Sequence, residues 1–167
     1  MDTINLKFQT IVSAPIEEVW EWITSLKGIQ KEMWPYFKMT APKGIKNIKD
    51  LKVELGKVLF RSHIYLFGFL PFGHDDMTLI EYSEGKGFIE QSPMTSMELW
   101  RHQREIETVD TGTMITDQLT FKPRHASQLI GKFMRRVFRH RHDVIKKSLG
   151  NPLNLSGGST IPSANTD

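Results

Sequence analysis

Three polar residues stand at alternate positions within two neighbouring, apolar-rich runs: His102 and Arg104 in residues 97–109, and Asp117 in residues 113–122. Asp110-Thr111-Gly112 between the runs is a hairpin signal. With Thr111-Gly112 as a two-residue loop, Asp110 faces Thr113. Arg104 then opposes Leu119, His102 opposes Phe121, and Asp117 falls diagonal to Arg104. Strand alternation places Trp100, His102, Arg104, Ile106, Ile115, Asp117, Leu119 and Phe121 on one face. That face carries most of the bulky apolar groups and is assigned inward; a slip of one residue would exchange the faces. Buried charges need partners. The three polar groups can hold the polar or anionic head of a ligand whose body fills an apolar cavity. They can equally form an internally satisfied Arg–Asp ion pair with His102 bonded nearby. Proton transfer by His102 or Asp117 is a third use.

Other candidates are less constrained. In residues 57–69, His63 and Arg61 share a face with Leu59, Tyr65 and Phe67, whereas Val58, Phe60, Ile64 and Leu66 occupy the opposite one. The run does not reveal which face is inward, so His63 and Phe60 both stand as pocket candidates. Glu90 and Gln91 alternate, and one of them points inward. Trp34 and Tyr36 follow a short helix near the expected cavity mouth. His140 and His142, at i and i+2, face different sides of a helix and cannot jointly chelate a metal. The chain has six histidines without HxxxH or HExxH, and no GxSxG, Walker loop or GxGxxG. With no cysteine, disulfides, thiolate nucleophiles and Fe–S clusters are excluded. No metal, cofactor or catalytic residue is expected.

These residues must be positioned by an ordinary globular chain: 167 residues, 39% hydrophobic and 25% charged, enough for one domain over 1–150. Residues 4–13 alternate as a half-buried strand. Pro15, with Glu17 and Glu18 after it, opens a helix running to Ser25, and a second short helix around 28–34 stops at Pro35. Strands are expected over 37–41, 50–55, 57–69, 76–83, 87–92, 97–109 and 113–122, with the turn after 57–69 at Pro71/Gly73. From 126 to 149 the period becomes 3.6: Ala126, Leu129, Ile130, Phe133, Val137, Val144 and Ile145 form an apolar stripe. Residues 151–167, rich in Ser, Gly, Pro and Asn, read as a tail. A twisted antiparallel sheet wrapped around that long helix leaves room for a cavity between them.

The net charge of +3 is unevenly spread, with nine Lys/Arg against the single acid Asp143 between residues 122 and 147. The basic helix face reads as an ordinary solvated surface, or as an attraction through Arg135 and Arg139 for an anionic membrane or ligand. Nucleic acid is disfavoured, because no exposed aromatics interleave the charges. The N-terminus shows no secretory signal, and the apolar run 64–73 is too short to span a membrane, so a cytoplasmic location is expected.

The element order, together with Phe8, Ser13-Ala14-Pro15-Ile16-Glu17-Glu18 and Val19-Trp20, resembles the START-like helix-grip superfamily (SRPBCC). Its bacterial ligand-binding, polyketide cyclase-like subgroup is similar in Phe88-Ile89-Glu90-Gln91, Trp100-Arg101-His102, Gly112-Thr113, Thr116-Asp117, Phe121 and Pro123. Val137-Phe138-Arg139 and Arg141-His142 late in the last helix are similar too. The resemblance covers residues 4–149. It implies an α+β helix-grip fold: a twisted antiparallel sheet of six to seven strands around a long C-terminal helix, two short helices after the first strand, and an internal apolar cavity. It also implies a hydrophobic ligand (lipid-like, isoprenoid or polycyclic) bound without a cofactor, or a polyketide cyclase/dehydratase-like reaction in the same cavity. The subgroup often shows Trp-x-His-x-His; here Arg104 replaces the second His. The expected ligand-binding set is Trp34, Phe60, His63, Trp100, His102, Arg104, Asp117, Phe121, Phe133 and Val137.

Overall fold

The alternation near the N-terminus forms the first strand of a computed structural model that describes residues 3–151. β1 (Ile4–Val12) turns Leu6, Thr10 and Val12 inward and leads through Pro15 into α1 (Ile16–Thr24), whose first turn carries Glu17 and Glu18. The Ser25 hydroxyl accepts a bond from the Gly28 N–H and starts α2 (Leu26–Met33). The described residues hold seven strands, the others being β2 (Phe37–Met39), β3 (Val58–Leu66), β4 (Leu70–Ser83), β5 (Gly87–Gln91), β6 (Met97–Val109) and β7 (Gly112–Pro123). They form one antiparallel sheet in the order β1-β7-β6-β5-β4-β3-β2. The sheet curls into a half-barrel around α3 (Ser127–Leu149), giving the expected helix-grip architecture. Among the described residues no helix is long and apolar enough to cross a membrane. The expected tail lies, from residue 152 onward, outside the described residues.

Three local expectations are corrected. The β6–β7 loop is Asp110-Thr111, with Val109 opposite Gly112, so Arg104 directly faces Asp117 and His102 faces Leu119. The register differs by two residues from the expected one. Because side chains alternate with period two, the inward face is unchanged. The second correction concerns the β3–β4 reversal, which occurs at Phe67-Gly68-Phe69 instead of Pro71/Gly73. Phe67 and Gly68 have φ of 53° and 83° there. Pro71 is accommodated within β4 beside a register shift, on the half of the strand that β5 does not reach. Third, residues 50–55 form no strand. Asn47 and Asp50 close a reciprocal capping box around a single 3₁₀ turn, Ile48–Asp50, and that local pairing wins over extension.

The core divides into two apolar clusters. One gathers Val12, Val19, Ile23, Leu79, Ile106, Ile115 and Ile145 at the α1 end. The other gathers Phe37, Ile64, Met97, Trp100, Phe121, Met134 and Phe138 nearer the N-terminal half of α3. The end of α3 is fastened to the start of α1: the Ser13 and Ala14 N–H groups donate to the Gly150 and Leu149 carbonyls at 3.2 and 3.1 Å.

Candidate functional site

A cavity of about 370 Å³ lies between the sheet and α3. Its walls are largely apolar, with Ile64, Phe72, Leu79 and Met97 from the sheet and Ile130, Phe133 and Met134 from α3. A polar wall is built by Asp75 on β4, Glu90 on β5, His102 and Arg104 on β6, and Arg141 on α3.

Most of that wall is already bonded to itself. The Arg104 guanidinium donates from Nε and Nη2 to the two Asp117 carboxylate oxygens at 2.7 and 2.6 Å. Its Nη1 donates to Glu32 of α2 at 3.2 and 3.0 Å. Glu32 also accepts from Arg141 Nε and Nη2 at 3.0 and 2.8 Å, and from Trp22 Nε1 at 2.9 Å. Asp117 is completed by the Nε2 atoms of His102 and His142, at 2.9 and 3.0 Å. Glu32, Arg104 and Asp117 have no solvent exposure. Burial alone would raise the Asp117 carboxyl, but the charges of Arg104 and His102 hold it well below the usual carboxylate range. Burial works against the Arg104 charge too, and Asp117 and Glu32 outweigh it. Arg141 is lowered by burial and by the neighbouring Arg104, against the pull of Glu32.

A second carboxyl pair, Glu90 and Asp75, adjoins this network through His102. Glu90 accepts from Ser92 Oγ at 2.9 Å and Trp100 Nε1 at 3.1 Å, and its other oxygen lies 3.8 Å from His102 Nδ1. Burial opposes its charge, yet His102, Ser92 and Trp100 hold its carboxyl below the ordinary range. Asp75 lies beside it, and burial together with the Glu90 charge pushes the Asp75 carboxyl up to about 9.

A model of the family described as a domain of unknown function, DUF8410, matches residues 10–149. The chain belongs to the DUF8410 family. No curated protein matches this DUF8410 member in sequence. Among solved structures it is similar to the Zhui aromatase/cyclase from Streptomyces sp. R1128, with 10% identity, coverage of 95% of this chain and 100% of the other, and a TM-score of 0.63. The Aha1 dimer from Colwellia psychrerythraea is similar at 16% identity, 89% and 98% coverage, and a TM-score of 0.58. Protein CV1439 from Chromobacterium violaceum is similar at 10% identity, 85% and 97% coverage, and a TM-score of 0.63. At these identities the likeness establishes the fold.

Of the residues expected from sequence, Trp100, His102, Arg104 and Phe133 line the cavity of the DUF8410 domain. Asp117 is buried one layer behind them, under Arg104. Phe121 and Val137 are fully buried in the adjoining apolar cluster, where Phe121 packs on Trp100. Phe60 and His63 lie outside the cavity lining; His63 is exposed on β3, because the side of that strand carrying Ser62 and Ile64 is the buried one. Trp34 is exposed and lies against Gly68 at the β3–β4 reversal. Sequence reasoning did not single out Glu32, although a lone acid between Ile29 and Met33 on an amphipathic helix is a visible signal. It also missed Asp75. Of Glu90 and Gln91, Glu90 is the inward one.

Proposed function

We propose that this DUF8410 domain binds a hydrophobic small molecule, lipid-like, isoprenoid or polycyclic, in the cavity between its sheet and α3. The observation that carries the reading is a 370 Å³ apolar space bordered by ionic groups that already satisfy one another. Such a space gives roughly 25 cal/mol per Å² of ligand apolar surface removed from water, without stripping solvent from a free charge. The fold of the Zhui aromatase/cyclase invites a cyclase- or dehydratase-like alternative. Binding is favoured over catalysis because Asp117 already accepts four bonds, one of them donated by His102 Nε2. A cytoplasmic setting fits the cysteine-free sequence.

Native mass spectrometry of protein purified from its own host tests the reading. A co-purifying apolar molecule, lost on delipidation and restored on adding it back, is the expected result. Protein that is always empty and takes up no apolar probe overturns it.

A second reading concerns where the ligand is exchanged. Phe67 and Leu129 line the cavity and are also exposed, and Phe69, 75% exposed, and Trp34 flank them. On the same side of α3, Lys132 and Arg136 lie one turn from Leu129 and Phe133, with Arg135 and Arg139 exposed alongside. An apolar lip beside cationic side chains suits loading from an anionic lipid surface.

A further inference from the structure

Asp75 lies in the half of β4 that has β3 on one side and no β5 on the other, yet only 2% of it is exposed. It borders the cavity beside Glu90, and its Oδ1 has no hydrogen-bond partner among the described residues. An unpaired buried carboxyl oxygen costs stability unless something in use completes it. No neighbouring cation completes it: Arg104 is spent on Asp117 and Glu32, and Arg141 on Glu32, while Glu90 Oε1 already accepts from Ser92 and Trp100.

We propose that Asp75 is the recognition point for a neutral polar group, a hydroxyl or carbonyl, on an otherwise hydrocarbon ligand, and that the cavity discriminates against carboxylate ligands. The proposal rests on the ligand-binding reading above and names the ligand's polar end. Two adjacent carboxyls in a low-dielectric wall do not both ionise. Glu90, beside His102 and two donors, keeps the charge, so Asp75 keeps the proton. A protonated carboxyl offers one O–H donor and an acceptor oxygen, the complement of an alcohol or ketone. A carboxylate ligand would meet Glu90 with no unpaired cation to receive it, which is the opposite of an anion site built on Arg104.

The test displaces N-phenyl-1-naphthylamine from the full-length chain at pH 7 with decane, decan-1-ol, decan-2-one, decanoate and decylammonium. In the wild type, the alcohol and ketone are expected to displace the probe at lower concentration than decanoate or decylammonium. Asp75→Asn, which still donates and accepts, should keep their affinity within about threefold. Asp75→Leu should weaken both by about tenfold or more, with decane binding retained. Decanoate binding best, or an alcohol affinity that survives Asp75→Leu unchanged, overturns the proposal. Decylammonium binding best and lost in Asp75→Asn also overturns it, in favour of an ionised Asp75. Should Asp75→Leu fail to fold, the wild-type ranking alone decides. If neither the naphthylamine nor any decyl compound binds, the cavity reading itself falls and takes this proposal with it. Uniform binding of all five sinks only the proposal.

Discussion

Arg104 and Asp117, both fully buried, face each other across the β6–β7 ladder and are joined by two parallel bonds of 2.7 and 2.6 Å. Such a pair contributes little net stability relative to apolar residues of the same shape, but removing one partner strands the other. Arg104→Met leaves Asp117 and Glu32 buried with a cation missing between them. It is expected to lower unfolding free energy by about 3–5 kcal/mol in urea titrations. A loss under about 1 kcal/mol would show that water or rearrangement replaces the guanidinium.

Asp75 gives stability a pH dependence opposite to that of Asp117. Its carboxyl, pushed up to about 9 in the folded state, lies above the ordinary aspartate value of 3.8, so between those values the folded state holds a proton that the unfolded chain releases. The contribution is complete below about pH 4 and is lost as pH rises toward 9. Wild-type stability relative to Asp75→Asn should therefore fall steadily from pH 5 to 8.5, by up to about 1.4 kcal/mol per pH unit. Parallel urea titrations of both proteins check this; a constant difference contradicts it.

Filling the cavity should close it without unfolding the chain. Phe133 borders the space and contacts Tyr36, Phe37 and Phe67 ring to ring. Phe133→Trp is expected to cut uptake of N-phenyl-1-naphthylamine by about tenfold while moving the melting temperature by only a few degrees, as overpacking terms allow. Unchanged uptake would place the probe elsewhere.

The apolar lip predicts a salt-sensitive surface interaction. Phe67→Ser/Phe69→Ser and Arg135→Glu/Arg139→Glu should each reduce co-sedimentation with vesicles containing anionic lipid, and only the charge variant should lose its salt dependence. Wild-type protein that ignores anionic vesicles at low salt ends the membrane-loading reading.

The inward face of the β6–β7 hairpin was legible because period-two alternation survives a two-residue error in register. The two glycines that misled the turn assignments explain the errors. A Cβ on Gly112 would sit 2.0 Å from the Val12 carbonyl oxygen, and one on Gly73 2.8 Å from the Thr95 side chain. Both positions demand glycine for close approach within the sheet, which in sequence looks the same as a turn. The ion network was half visible. Arg104, His102 and Asp117 lie on one hairpin, but Glu32 and Arg141 come from helices 72 and 37 residues away from Arg104 in sequence, and no local pattern encodes that meeting. Asp75 is not legible in the sequence because Pro71 and Gly73 imitate a turn and so hide the first half of β4.

Glu32 accepts from Trp22 on α1, Arg104 on β6 and Arg141 on α3, so one carboxylate ties three parts of the chain together. Detaching the C-terminal half of α3 alone would leave the buried carboxylates of Glu32 and Asp117 sharing Arg104 as their one guanidinium, a state dearer than the lost apolar contacts suggest. Helix and sheet should therefore open together: amide protons near Arg141 and Arg104 are expected to exchange at the same slow, global rate, and Glu32→Gln should let the helix exchange first.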